Sequence, residues 1–148
     1  MKYLFYILPL FSGVFMTIQA SVNSQLRTSI NNPIGAAFLS FLGGTLSLAV
    51  ALVVLRQPLP NLQTLTTIEW HKYLGGLLGA TFVTFAIFSA PKIGISSMSV
   101  IIVTGQLLTA LCLDHFGFLG FKVNEISLTK ILGLVLVVVG AYLVNQKP

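Results

Sequence analysis

Acidic side chains are nearly absent from this 148-residue chain, which has only Glu69, Asp114 and Glu125. Charged residues of both signs make up 7% of it, against about 25% in soluble domains. With 55% of residues hydrophobic, a soluble fold of this size would leave large apolar patches in water, so lipid must solvate the excess. Cysteine is as scarce. Cys112 stands alone in an apolar run, which excludes a disulfide and any metal-ligand spacing, and it reads as a small buried hydrophobe. Catalytic templates are missing too: there is no glycine-rich phosphate loop, nucleophile elbow or metal motif. Two histidines and three acids are too few and too scattered for an enzyme, and no cofactor or metal is expected.

What charge there is runs positive. Eight Lys or Arg give a formal net charge of +5, but Lys2, Arg27, Arg56, Lys72, Lys92, Lys122, Lys130 and Lys147 stand singly between apolar runs. Nucleic-acid binding would require them to cluster; spaced in this way they mark loops flanking membrane spans. The apolar runs cover residues 3–20, 34–55, 73–90, 93–113 and 128–144 of a single membrane domain. Each approaches the roughly 17 to 25 residues that carry a helix across about 30 Å of hydrocarbon. The fold expected is an all-α, polytopic membrane protein with about five transmembrane helices.

Local punctuation agrees. Asn32 before Pro33 predicts an N-cap with proline at the first helical position, and Ser127 can cap the fifth span. Residues 56–70, with Pro58 and Pro60, read as a loop, after which Trp70, His71, Lys72 and Tyr73 form an interfacial belt. Lys2 ahead of the first apolar run, with Ile18-Gln19-Ala20 at its end, also has the form of a signal peptide, but four more apolar spans follow. Lys2, Arg56, Lys72, Lys122 and Lys130 fall on one side of the membrane and Arg27, Lys92 and Lys147 on the other. The excess favours a cytoplasmic N-terminus by a small margin and leaves open an antiparallel dimer of oppositely inserted copies.

Because lipid tails give helices no hydrophobic reason to associate, small and polar residues within spans are informative. Gly75, Gly76, Gly79 and Ala80 in the third span, and Ser40, Gly43, Gly44, Ser47 and Ala51 in the second, form packing faces. Gly133 and Gly140, seven residues apart in the fifth, form a smooth ridge that suits pairing between subunits or the seating of a neighbour within the monomer. Gln19 and Asn23 share a helix face, near Gly13 and Thr17. Ser99, Gln106, Ala110 and Asp114 form a stripe in the fourth span. Together the two groups suit one polar pocket, with Gln19, Asn23 and Gln106 as substrate contacts or as hydrogen-bonding glue between helices. Asp114, the only carboxylate within or beside a span, and its neighbour His115 are candidates for proton or ion coupling, or form a hydrated helix end.

These residues carry a family resemblance. Gly13 through Leu26 with Gln19 and Asn23, Ser40-Phe41-Leu42-Gly43-Gly44-Thr45, and Gly75-Gly76-Leu77-Leu78-Gly79-Ala80 resemble the YdcZ-type branch of the drug/metabolite transporter superfamily. So do Ala90-Pro91-Lys92-Ile93-Gly94 as the turn between third and fourth helices, Gly105-Gln106-Leu107-Leu108, and Asp114-His115-Phe116-Gly117. The resemblance implies a multi-pass protein of the bacterial cytoplasmic (inner) membrane, similar to one half of a ten-helix transporter, that exports a small metabolite or drug. Its implied partners are the lipid bilayer, a small-molecule substrate, and a second copy or a paired homologue that completes a dimer. Gly133 and Gly140 resemble the glycine heptad on the pairing helix of small multidrug transporters. Those relatives place a glutamate in the first helix for proton exchange, and this first helix has no acid. The alternative to transport is a membrane scaffold or accessory subunit; an intramembrane lipid enzyme has less behind it.

Overall fold

A computed structural model describes residues 4–120 and 122–146. Tyr3, where the first apolar run begins, and the flanking charges Lys2 and Lys147 lie outside the described residues. The helices are α1 (Leu4–Ile30), α2 (Pro33–Val54), α3 (Leu62–Thr67), α4 (Leu74–Ile93), α5 (Ile95–Phe116) and α6 (Leu128–Asn145), and there is no strand among the described residues. All but α3 are long and apolar enough to cross a membrane. Large apolar side chains such as Phe5, Leu46, Val53 and Leu136 point outward, while Ile87 is the largest fully buried one described. Such a chain is an all-α, multi-pass membrane protein whose helices satisfy their own backbone groups in lipid.

Helix α1 continues past Ala20 to Ile30. Its hydroxyls explain why polar residues do not interrupt it: Ser12, Thr17, Ser21, Thr28 and Ser29 each donate to the carbonyl one turn back, at 3.0–3.2 Å. At 1.5 Å per residue the helix is about 40 Å long, which exceeds the hydrocarbon thickness by about 10 Å. It stops where Asn31 turns left-handed (φ 49°) and Asn32 caps α2, its side-chain oxygen accepting the Gly35 N–H at 2.9 Å with Pro33 following.

The stretch read as a loop before the third span contains α3. Asn61 caps it by accepting the Thr64 N–H at 2.7 Å, and the Tyr73 hydroxyl donates to the Leu65 carbonyl at 2.9 Å. Nor does the turn after the third span begin at Pro91: α4 runs through that proline to Ile93, and the break falls at Gly94, whose φ of 83° favours glycine.

The chain divides into two compact units, Met1–Lys92 and Ile93–Pro148. In the first, α1 and α2 form a hairpin, and α4 buries Val83, Ala86, Ile87 and Ala90 along one helical stripe. Val83 and Ile87 meet Ala36 and Ala37 of α2, with Leu26 and Phe82 packed against them. Ala36 and Ala37 are the buried residues of α2, small side chains of the kind that membrane helices use for packing in place of a hydrophobic drive.

Gly79 faces the ring of Phe41, which lies 3.5 Å from where a Cβ would stand, whereas a Cβ at Gly75 would meet nothing within 4 Å. Gly79→Ala should therefore leave stability within about 0.5 kcal/mol, while Gly79→Leu, which must displace the ring, should cost about 1–3 kcal/mol in SDS-titrated unfolding. Equal effects of the two would show that Phe41 does not sit there.

In the second unit α5 packs on α6. Helix α5 ends at left-handed Gly117 (φ 64°), whose N–H reaches the Leu113 carbonyl, and the Asn124 N–H donates to the Asp114 carbonyl at 2.8 Å. Ser127 caps α6, accepting the Lys130 N–H at 3.3 Å. Cys112 is exposed on α5, not buried as read, because it falls on the face turned away from the unit's packing. A Cβ at Gly133 or Gly140 of α6 would meet nothing within 4 Å.

Candidate functional site

The polar centre of the first unit is built on the last third of α1. Ala20 and Asn23 are buried and Arg27 is half-buried, at spacings of three and four that hold them on one face. Asn23 is 4% exposed, and its Nδ2 has no hydrogen-bond partner among the described residues. An unpaired buried amide donor costs about 1–3 kcal/mol, so Asn23 weakens the fold unless something brings it an acceptor. Gln19, on the same sequence stripe, is exposed. Ala20, Asn23 and Arg27 fall within about 60° around the helix, and Gln19 lies about 40° beyond Asn23, on the side away from the other two, which carries it past the edge of the packed face.

Arg27 was not among the site candidates, and its place follows from Pro91. A proline has no N–H, so in α4 it leaves the carbonyl four residues back, that of Ile87, without its helical donor. Arg27 Nη1 donates to this carbonyl at 3.2 Å, and the guanidinium carbon lies 5.7 Å from the centre of the Phe88 ring. The cation fixes α1 to α4 at a carbonyl that the helix itself cannot satisfy. Its position near the end of the overlong α1 places it close to the membrane–water boundary, where burying charge costs least.

In the second unit the stripe on α5 is more open. Ser99, Asp114 and His115 are half-buried, Gln106 and Ala110 are exposed, and Met98 is the buried residue of the helix. The Gln106 amide and the Asp114 carboxylate make no hydrogen bond among the described residues. It is the backbone carbonyl of Asp114, not its side chain, that ties down the following loop. His115 packs edge-on against Phe116 at 4.8 Å, and its Nδ1 is buried without a partner among the described residues. Asp114 and His115 do not pair with each other: the salt bridges among the described residues are those of Glu69 with His71 and Lys72.

Among the described residues no group of three His, Cys, Asp or Glu could hold a metal. The polar groups of the first unit's site are the Asn23 amide and the Arg27 guanidinium, and those of the second are the Gln106 amide, the Asp114 carboxylate and the His115 imidazole.

Comparisons with known proteins identify the family. No solved structure matches the chain. A curated relative, "Inner membrane protein YdcZ" of Escherichia coli (strain K12), is 26% identical over 137 residues, which cover 92% of this chain and 91% of the relative. Residues 4–143 match the family described as "Putative inner membrane exporter, YdcZ". With that match spanning nearly all of its length, the chain belongs to the YdcZ family of the drug/metabolite transporter superfamily, multi-pass helical proteins of the inner membrane.

Proposed function

We propose that the protein is a secondary transporter that exports a small metabolite or drug across the cytoplasmic membrane, acting as a dimer. The observation that carries this reading is Asn23, a buried amide within a span whose Nδ2 has no partner among the described residues. A purely structural amide would be glued to a neighbouring helix; one held ready for a ligand has a donor to spare. Gln19 and Gln106, both exposed, are further substrate contacts, and Asp114 with His115 is the coupling site, since no other carboxylate lies within a span. Substrate release needs packed helices to rock against one another, which small-residue faces permit.

The expected result is flux above empty vesicles for at least one compound of a metabolite panel in proteoliposomes, and loss of proton-driven accumulation in Asp114→Asn with facilitated flux retained. No flux for any compound, together with a stable heteromeric complex in mild detergent, would replace transport by the scaffold reading.

Pairing is assigned to the ridge of α6. Because a side chain at Gly133 or Gly140 meets nothing within 4 Å, the Gly133→Leu, Gly140→Leu variant should fold as a monomer and lose its dimer fraction in light scattering of detergent-purified protein. An unchanged dimer would place the interface elsewhere.

A further inference from the structure

The polar face of α1 offers more donors than the protein consumes, and that surplus restricts what binds there. Among the described residues the Arg27 guanidinium makes one hydrogen bond, to the Ile87 carbonyl, and it takes part in no salt bridge. A guanidinium carries five N–H donors and no acceptor, so one contact fixes its position and leaves most of the fork uncommitted. Four residues back on the same face, Asn23 keeps a buried Nδ2 without a partner. Both groups therefore seek acceptors.

Charge points the same way. Of the chain's three acids only Glu69 belongs to the first unit, and it precedes α4 at the end away from Ile87, where it pairs with His71 and Lys72 at 3.3 and 3.6 Å. The first unit thus has no carboxylate for Arg27. The terminal carbonyls of α1 disfavour an anion here and the first amides of α2 favour one; these partial charges, about half a unit each and of opposite sign, largely cancel at the hairpin. The full charge of the guanidinium decides.

We propose that the first unit binds an oxyanion, a carboxylate or phosphate group, on the Arg27 guanidinium and the Asn23 amide. It follows, resting on the transport reading above, that the exported compounds are organic acids. Two oxygens of a carboxylate or a phosphate match the planar guanidinium fork, which a lysine would not reproduce. A negatively charged lipid headgroup offers the same chemistry at the same depth, so the test separates the two sources.

The probe is benzoate, with benzamide as its uncharged counterpart and inorganic phosphate as a second anion, titrated by thermal shift against protein in phosphatidylcholine nanodiscs. The critical variant is Arg27→Gln combined with Pro91→Ala, in which the new N–H at position 91 serves the Ile87 carbonyl, so that the fold does not depend on the guanidinium. Wild type should bind benzoate at least tenfold more tightly than benzamide. The double variant should lose at least tenfold in benzoate affinity with its benzamide affinity unchanged, and Arg27→Lys should fall between. Failure of both benzoate and phosphate to bind, or equal benzoate binding by wild type and the folded double variant, overturns the site.

Repeating the titration with phosphatidylglycerol in the disc assigns the source. Competition with benzoate makes the natural oxyanion a headgroup; no competition makes it a free acid; either result retains the oxyanion site. Benzoate counterflow in proteoliposomes separates the two claims: binding without flux removes transport and leaves the site, whereas flux of neutral compounds without anion binding removes the site and leaves transport.

Discussion

Replacing Arg27 with methionine destabilises the first unit by about 1–2 kcal/mol, and adding Pro91→Ala restores most of the loss. Pro91 withholds the N–H that would have bonded to the Ile87 carbonyl, and Arg27 Nη1 supplies the missing donor at 3.2 Å. Methionine preserves much of the aliphatic stem and removes only the donor and the charge, leaving the carbonyl unpaired. Hydrogen bonds to a charged donor contribute about 1.5–3 kcal/mol in soluble proteins. Interhelical bonds in membranes average about 0.6 and reach about 1.7, so the upper part of the membrane range is the appropriate expectation for a half-buried cation. Contact with the Phe88 ring adds about 0.5 kcal/mol that methionine partly retains.

With alanine at position 91 the helix serves its own carbonyl, and Arg27→Met then costs little. A double-mutant cycle in SDS-titrated unfolding should show coupling of about 1 kcal/mol between two residues that do not touch in sequence or by charge. Additive effects would mean that the proline does not explain the arginine.

Asn23→Leu should reduce substrate affinity and flux at least tenfold while leaving stability unchanged or up to about 1 kcal/mol higher. The other buried residues of the unit, including Ala20, Ala36, Ala37, Val83 and Ile87, are apolar. Leucine has the same side-chain branching as asparagine and carries no donor to leave unpaired, so the penalty attached to Nδ2 disappears without opening a cavity, while the bulk of its methyl groups offsets part of that gain. Asn23→Ala is the poorer probe because it removes volume as well as polarity. A leucine variant that unfolds or loses several kcal/mol would show that the amide is structural glue, and one that transports normally would remove Asn23 from the site.

The spans were legible because hydrocarbon thickness imposes a run length that no other constraint mimics, and the caps at Asn32 and Ser127 because their side-chain chemistry is local. The length of α1 was not, since its serines and threonines look like an interface in sequence and only in three dimensions are seen bonding back to their own helix. Pro91 signalled a turn, yet a proline in a last turn forfeits a single bond, which Arg27 replaces from 60 positions away. No periodicity could announce that pairing. Gln19 and Asn23 share a stripe in sequence, but burial depends on where α2 and α4 lie, and it takes Asn23 and leaves Gln19 exposed. The glycines behave likewise: Gly79 seats Phe41, while Gly75, Gly133 and Gly140 face nothing within 4 Å.

The central claim, that a transported compound meets the buried amide of α1, is tested most directly by flux in proteoliposomes of wild type and Asn23→Leu reconstituted at equal density. Wild type should show substrate-dependent flux and the variant at least a tenfold loss, with thermal stability no lower than that of wild type. Equal flux from both proteins, or none from wild type across the panel, would contradict it.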